Sequence, residues 1–405
     1  MIRGKIENIF LLFLFALPFW ALLSAKIIAF IMPVLGIAGA YIFFSAPEKK
    51  LPRWLWGIYI LLLLFWFSCK WTIMPLPDYL NDMLPTSLLL VAGCFAVLGA
   101  SHTKLEPAHL LVLPVTWLLL AAFLLFEKYT GHSLRKLFYG LLEKEMRSDL
   151  VSVLNKQTCI LAFLLLPSLL AAWQGGWLWL KRLFPALAIA AITALLYKSA
   201  SQIAQVALAV TLLFLLFPTR LKLAWGGLVL GIGAAILLMP WWLALLHDFL
   251  MPYAVVPSSF LGQASAAARL EIWDALARYL MQSPFTGFGV DATRHIQDLN
   301  IQGQFYKGET VVHPHNFTLQ LWFEFGVAGA LWGSIFVIYL VRRIQKAEIT
   351  RGARKLLLAS SMGVLVAAFT GWGLWQGWWI GFLFLYAAIW QSLLARAPSN
   401  APATA

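Results

Sequence analysis

VVHPHNFTLQLWFEFGVAGALWGSIFVIYL occupies residues 311–340. Two imidazoles, His313 and His315, and the amide Asn316 stand at its head. From Pro314 the stretch is long and apolar enough to span a bilayer, whose core of about 30 Å takes about 20 residues of helix. Asn316, Gln320 and Glu324 follow at i, i+4 and i+8, which puts them on one face of that helix. Ionisable groups at a membrane helix mouth are costly to bury in lipid, so they are functional candidates first.

Outward from this stretch the same ruler finds eleven more. The twelve lie near 8–24, 27–46, 54–72, 83–101, 109–127, 158–173, 183–197, 202–217, 223–246, 314–340, 356–374 and 377–395. Mean hydropathy is +0.81 and 12% of residues are charged, about half the charge of a soluble domain. The fold class is an all-α polytopic membrane protein of about 12 transmembrane helices, with membrane lipid as its solvent. Twenty Trp and 29 Phe suit interfacial belts and helix packing. With the N-terminus inside, the inner loops hold 17 of the 30 basic residues, and the short outer loops hold only Lys26, Lys70 and Lys198. That bias puts both termini in the cytoplasm. The net charge of +13 is then no sign of nucleic acid, for which no recognition motif is present.

The remaining basic residues fall in two long outer loops. The first, 128–157, mixes Lys128, Arg135, Lys136, Lys144, Arg147 and Lys156 with apolar residues at helical spacing, and reads as an amphipathic helix on the membrane surface. The second, 247–313, separates spans nine and ten. It contains a helix near 264–282 with Leu270, Trp273, Ala277 and Leu280 in one stripe, closed by Ser283-Pro284 and a Gly287-Phe288-Gly289 turn. The chain thus divides into 1–246 with nine spans, the 247–313 loop, 314–395 with three spans, and a cytoplasmic tail at 396–405. The N-terminus reads as a retained first span, since Leu23-Ser24-Ala25 is a poor signal cleavage site. Cys69, Cys94 and Cys159 lie in or beside apolar segments and match no zinc or redox spacing.

Four groups of residues could carry chemistry. His313 and His315 would sit at the N-terminus of the tenth span, where Pro314 fits the first turn and the helix dipole favours an anion and a neutral imidazole. Asn316 would sit with them; alternatively the group only caps the helix and glues it to its neighbours. Arg269 and Glu271 lie on the outer-loop helix; Arg269 could fork onto phosphate oxygens, or the two could be a surface ion pair. Lys198 and Gln202, in Lys198-Ser199-Ala200-Ser201-Gln202, suit a phosphate between two spans, although Lys198 could merely snorkel. Arg294, after the glycine turn, is a weaker ligand candidate. No Walker loop, zincin pattern or carboxylate cluster calls for a metal or cofactor.

In order along the chain, Arg269-Leu270-Glu271-Ile272-Trp273, Pro284-Phe285-Thr286-Gly287-Phe288-Gly289, His315-Asn316, Leu319-Gln320, Glu324-Phe325-Gly326 and Gly329 resemble the O-antigen ligase/polymerase family of bacterial inner-membrane glycosyltransferases. The family often has a Ser-Arg pair where this chain has Ser201-Gln202, with Lys198 the nearest cation. The resemblance implies a Gram-negative inner-membrane enzyme with a periplasmic site. Its donor would be O-antigen on undecaprenyl pyrophosphate and its acceptor the lipid A-core oligosaccharide, joined by a metal-independent inverting displacement. His315 would be the essential histidine and Arg269 the loop arginine. The same resemblance admits an O-antigen polymerase or a protein O-oligosaccharyltransferase, and twelve spans alone would also suit a polysaccharide or lipid transporter.

Overall fold

The computed structural model describes residues 2–141, 150–197, 201–262, 266–296, 299, 301–308 and 311–395. It is an all-α membrane protein. Seven helices are long and apolar enough to cross a bilayer: Ile27–Phe44, Leu76–Ala100, Pro107–Tyr129, Leu178–Leu196, Phe317–Lys346, Arg351–Thr370 and Gly377–Ala395. Three bent pairs raise the count to ten, and Trp54–Lys70 and Gln202–Phe214 are shorter apolar helices. Each of the twelve apolar stretches thus meets a helix or a bent pair, though three are bent pairs and two are short. Large side chains such as Leu223 and Ile37 are exposed along these helices, as lipid-facing positions should be. Where Ile27–Phe44 meets Leu76–Ala100, Gly39 and Gly99 touch; a Cβ on Gly39 would lie 2.3 Å from the Phe95 carbonyl oxygen. Small residues permit that close approach without a hydrophobic drive between helices.

The bends have a common cause. Proline lacks an N–H and its ring clashes with the carbonyl four residues back. Leu154–Phe163 and Leu165–Gln174 meet at 43° ahead of Pro167. The freed Phe163 carbonyl accepts from Ser360 Oγ at 3.3 Å. Lys222–Leu237 and Met239–Ala254 meet at 85° beside Pro240, and the Ile236 carbonyl accepts from Trp322 Nε1 at 3.0 Å. The ninth stretch, expected as one span over 223–246, therefore turns off at Leu238. Its second half becomes a separate helix leading into the long loop.

Two other expectations shift. The basic stretch 128–157 is not one helix, since Pro107–Tyr129 and Ser133–Leu141 are separated by Gly131 and His132, both at positive φ. Its Lys144 and Arg147 lie outside the described residues. The eleventh span runs Arg351–Thr370 and stops before a six-residue turn at 371–376. Among the described residues, the only strands are the antiparallel pair Ile301–Gln302 and Lys307–Gly308 in the long loop. An apolar cleft of about 470 Å³ is lined by residues such as Phe44, Leu55 and Val91.

Candidate active site at the turn between the last two helices

The helix carrying the polar stripe starts at Phe317, not at Pro314. Asn316 is its N-cap: Oδ1 accepts from the backbone N–H of Thr318 and Leu319, each at 3.0 Å. Pro314 stands outside the helix, and its carbonyl accepts from Trp273 Nε1 at 2.7 Å. His315 takes φ +57°, a left-handed conformation uncommon for a residue other than glycine.

Phe317–Lys346 is interrupted at Gly326, where φ is +60° and ψ is −145°. Only glycine tolerates that region, and a Cβ there would lie 2.2 Å from the Phe285 carbonyl oxygen. The Pro284–Gly289 turn fills the break. Phe288 and Gly289 donate backbone N–H to the Phe323 and Glu324 carbonyls at 2.8 and 2.9 Å, and Val327 N–H reaches the Pro284 carbonyl at 3.0 Å. The two glycine-bearing motifs thus form one joint, and residues 317–325 become a short, buried half-helix.

The buried stripe on this half-helix is fully engaged. Gln320 Nε2 donates to Glu324 Oε1 at 2.8 Å. Gln320 Oε1 accepts from Leu374 N–H at 2.8 Å, and Glu324 Oε2 accepts from Trp375 Nε1 at 2.7 Å. Both partners sit on the 371–376 turn, which the stripe therefore pins in place.

That turn collects the candidate chemistry. His315 Nδ1 lies 2.6 Å from the Gly371 carbonyl. A carbonyl only accepts, so Nδ1 carries the proton and Nε2 carries the lone pair. The His313 ring is 4.2 Å from that of His315. Trp378 Nε1 donates to Gln376 Oε1 at 2.8 Å, which turns the Gln376 amide NH₂ toward His313 Nε2 at 3.2 Å. His313 Nε2 therefore accepts. Its protonated Nδ1 is buried without a partner. Arg269 Nη1 donates to the Thr370 carbonyl at 2.6 Å, while its Nε is also buried without a partner.

Burial is the main electrostatic influence here. It pulls His315 down to about 4, helped by the Arg269 charge and opposed by the Gly371 carbonyl. It pulls His313 down to about 3, with His315 and Arg294 adding to it. Arg269 is also lowered by burial, with only the Cys159 thiol opposing. Among the described residues no carboxylate pairs with this guanidinium, and a buried charge without a counter-charge is a costly arrangement that an anion would relieve. Cys159 Sγ lies 3.5 Å from Ser201 Oγ, so the start of the Gln202–Phe214 helix borders the guanidinium.

Other sequence candidates fall elsewhere or have partners already. Glu271 does not pair with Arg269; its carboxylate accepts backbone N–H groups from Gln304, Phe305 and Tyr306 and holds the hairpin turn. Gln202 Nε2 donates to the Phe260 carbonyl. Arg294 is half-exposed and bonds the Val312 carbonyl at 3.1 Å and Asp291 at 3.0 Å. Lys198 lies outside the described residues. In the 128–157 stretch, Lys128 caps the carbonyls of Ala194, Leu195 and Tyr197, and Arg135 faces the buried Glu127 at 3.5 Å.

The sequence reading passed over Thr370, Gly371, Trp375 and Gln376. The run Gly371-Trp372-Gly373-Leu374-Trp375-Gln376-Gly377 signals a break between helices, but nothing in it announces that backbone carbonyls would orient the site. Asp291 was passed over too. It is buried at φ +54°, and burial lifts its carboxyl to about 7 against the pull of Arg294.

Residues 184–332 match the family model described as O-Antigen ligase. A Rickettsia conorii protein named "Putative polysaccharide ligase" is 27% identical over 138 residues, 33% of this chain and 32% of the relative. One from Rickettsia typhi with the same description is 28% identical over 120 residues, 29% of each chain. The matched region spans about a third of the curated relatives' length. The family-model match, 184–332, contains Arg269, His313, His315 and the polar stripe, and stops short of the 371–376 turn. Through residues 184–332 this chain is similar to the O-antigen ligase family.

Proposed function

We infer that this protein is a membrane glycosyltransferase that moves O-antigen polysaccharide from undecaprenyl pyrophosphate to the lipid A-core oligosaccharide at the periplasmic face of a Gram-negative inner membrane. The observation that carries the reading is the convergence of Arg269 and His315 on two adjacent carbonyls, Thr370 and Gly371, with Arg269 Nε unspent and His315 Nε2 bearing a lone pair. The family match and the polysaccharide-ligase relatives supply the substrate class.

In this reading an acceptor hydroxyl oxygen attacks the anomeric carbon of the donor. The bond from that carbon to the pyrophosphate oxygen breaks, and the configuration inverts. The hydroxyl proton passes to His315 Nε2, which is neutral well below pH 7 because of its burial. Charge grows on the departing pyrophosphate, where the fixed Arg269 guanidinium meets it in a site of low dielectric. His313 Nδ1–H is a second unspent donor for a substrate oxygen. Lys198, three residues before Ser201 in the sequence, is the further cation of this reading. The donor is already activated, so the transfer needs no nucleotide.

The test is transfer by purified protein given lipid-linked O-antigen and lipid A-core without metal or ATP. A shifted lipid A-core band supports the ligase. A lengthened lipid-linked glycan with no lipid A-core product would replace it with a polymerase, and an untouched donor would reopen the transporter class.

A further inference from the structure

Trp54–Phe67 and Leu76–Ala100 are antiparallel neighbours that touch at one end and part at the other. Trp66 Nε1 donates to Ser87 Oγ at 3.1 Å, and the Tyr79 hydroxyl donates to the Phe65 carbonyl, which closes the joint. Toward the opposite end lies the apolar cleft of about 470 Å³. Leu55, Ile58 and Leu62 line it from the first helix at i, i+3 and i+7, and Val91, Phe95 and Leu98 from the second at i, i+4 and i+7. Each set is one helix face, and the two faces look at each other across a wedge they do not fill.

Both walls are held from behind. The Gly57 carbonyl accepts from Trp332 Nε1 at 2.8 Å, and a Cβ on Gly57 would lie 2.3 Å from the Phe336 ring, so the open end of Trp54–Phe67 leans on Phe317–Lys346. Leu76–Ala100 is seated through Gly93 on the Phe384 ring and through Gly99 on Gly39. The walls are thus tied to different neighbours, and the wedge belongs to the fold. Tyr59 and Val91 at its opening are 52% and 41% exposed, so it opens outward to the bilayer. An apolar space is a poor place for water, which needs polar partners. A lipid chain is the apolar matter at hand.

The rim adds a charge preference. Lys49 lines the cleft with Phe44 and Leu51, and Arg53 is the N-cap of Trp54–Phe67. Residues 48–53 carry three basic side chains against one acidic one, and that acid, Glu48, lies 3.3 Å from Lys50 with both exposed. Lys26, at the far end of Ile27–Phe44, lines the smaller cleft that Gln376 of the 371–376 turn also lines. Eighteen residues of helix, about 27 Å, separate the two levels. The wedge is therefore remote from the His315–Arg269 cluster and independent of the catalytic reading.

We propose that this wedge binds an anionic phospholipid of the bilayer, with one acyl chain between the two helix faces and the phosphodiester at Lys49 and Arg53. The basic rim attracts an anionic headgroup and repels the cationic half of a zwitterionic one, so the site selects by charge as well as by shape.

The test uses the full chain in mild detergent and phosphatidylglycerol bearing a diazirine on one acyl chain. After irradiation the cross-linked peptides are mapped. Cross-links should concentrate on residues 55–62 and 91–98, and unlabelled phosphatidylglycerol should displace them at about a tenth or less of the phosphatidylcholine concentration needed. Lys49→Gln/Arg53→Gln should cut labelling of these segments about tenfold or more at sub-saturating probe, while Lys49→Arg/Arg53→Lys keeps it. Val91→Trp, which fills the wedge and leaves both cations, should also remove it. Labelling evenly spread over the exposed helix faces would overturn the proposal. So would displacement by phosphatidylcholine as readily as by phosphatidylglycerol, or a charge variant labelled like wild type. A polyprenyl phosphate that displaced the probe better than phosphatidylglycerol would give the wedge to another occupant and overturn it as well. The wild-type competition decides even if a variant fails to fold.

Discussion

Two sets of buried polar groups meet around residues 313–324, one of them completed by Arg269 from Ala266–Leu280, and they differ in what they leave unspent. The stripe of Asn316, Gln320 and Glu324 uses its oxygens on a helix cap, a backbone N–H and an indole. The neighbouring cluster of His313, His315 and Arg269 anchors one atom of each side chain; it leaves a donor buried without a partner on His313 and on Arg269, and the Nε2 lone pair on His315. Satisfied buried groups fix a shape, and unsatisfied ones call for an explanation such as a ligand. The contrast separates scaffold from chemistry within one short segment, where residue type alone would not.

That comparison can be broken at several points. The largest expected effect is on Arg269→Ala. Transfer should fall by about 10² to 10³ or more, the usual cost of removing one fixed donor from a developing charge, while the protein still folds and inserts. Transfer within a few-fold of wild type would mean the buried guanidinium serves packing only. Next is pH. With His315 held at about 4, the protonated form that cannot act as a base appears only in acid. The rate should hold from pH 8 to about 5 and then drop as pH falls through about 4. A midpoint near the ordinary histidine value would show that the site is wetter than described here.

On the scaffold side the readout is stability. Gly326→Ala forces a side chain into a glycine-only conformation, which costs about 1–3 kcal/mol from the backbone alone, and drives a Cβ into Phe285. Glu324→Ala strips Trp375 and Gln320 of their acceptor, at about 1–3 kcal/mol for each buried group left unpaired. Both should lower the unfolding temperature in detergent and lose transfer in step with it. Glu324→Ala that stayed fully stable but inactive would move Glu324 from scaffold to chemistry. The smallest effect on turnover belongs to Glu271→Ala, which should loosen the 301–308 hairpin to proteolysis and change turnover little. A loss as deep as that of Arg269→Ala would return Glu271 to the substrate.

Much of this was legible in the sequence, for physical reasons. Hydropathy and length are local, so the apolar segments and the Ala266–Leu280 helix stand out, and His315 and Arg269 are conspicuous because charge is rare in such a chain. What was not legible depends on tertiary partners. Pro240 marks a possible break, but the 85° bend persists because Trp322 takes the freed carbonyl. The spacing of Gln320 and Glu324 shows a common face without saying that Leu374 and Trp375 fill it. Glu271, two residues from Arg269 in sequence, faces the hairpin and not the guanidinium. Nothing in Gly371 itself says that its carbonyl selects the tautomer of His315.

The central claim is that His315 acts on the proton and Arg269 on the pyrophosphate. The most direct measurement is a single turnover on protein preloaded with lipid-linked donor, comparing His315→Ala with wild type after donor binding has been measured on each. The account predicts that His315→Ala binds donor as wild type does and transfers at least about 10² more slowly, the lower range for a lost general base. A variant that binds donor normally and transfers at the wild-type rate would contradict it, and so would one that fails to bind donor at all.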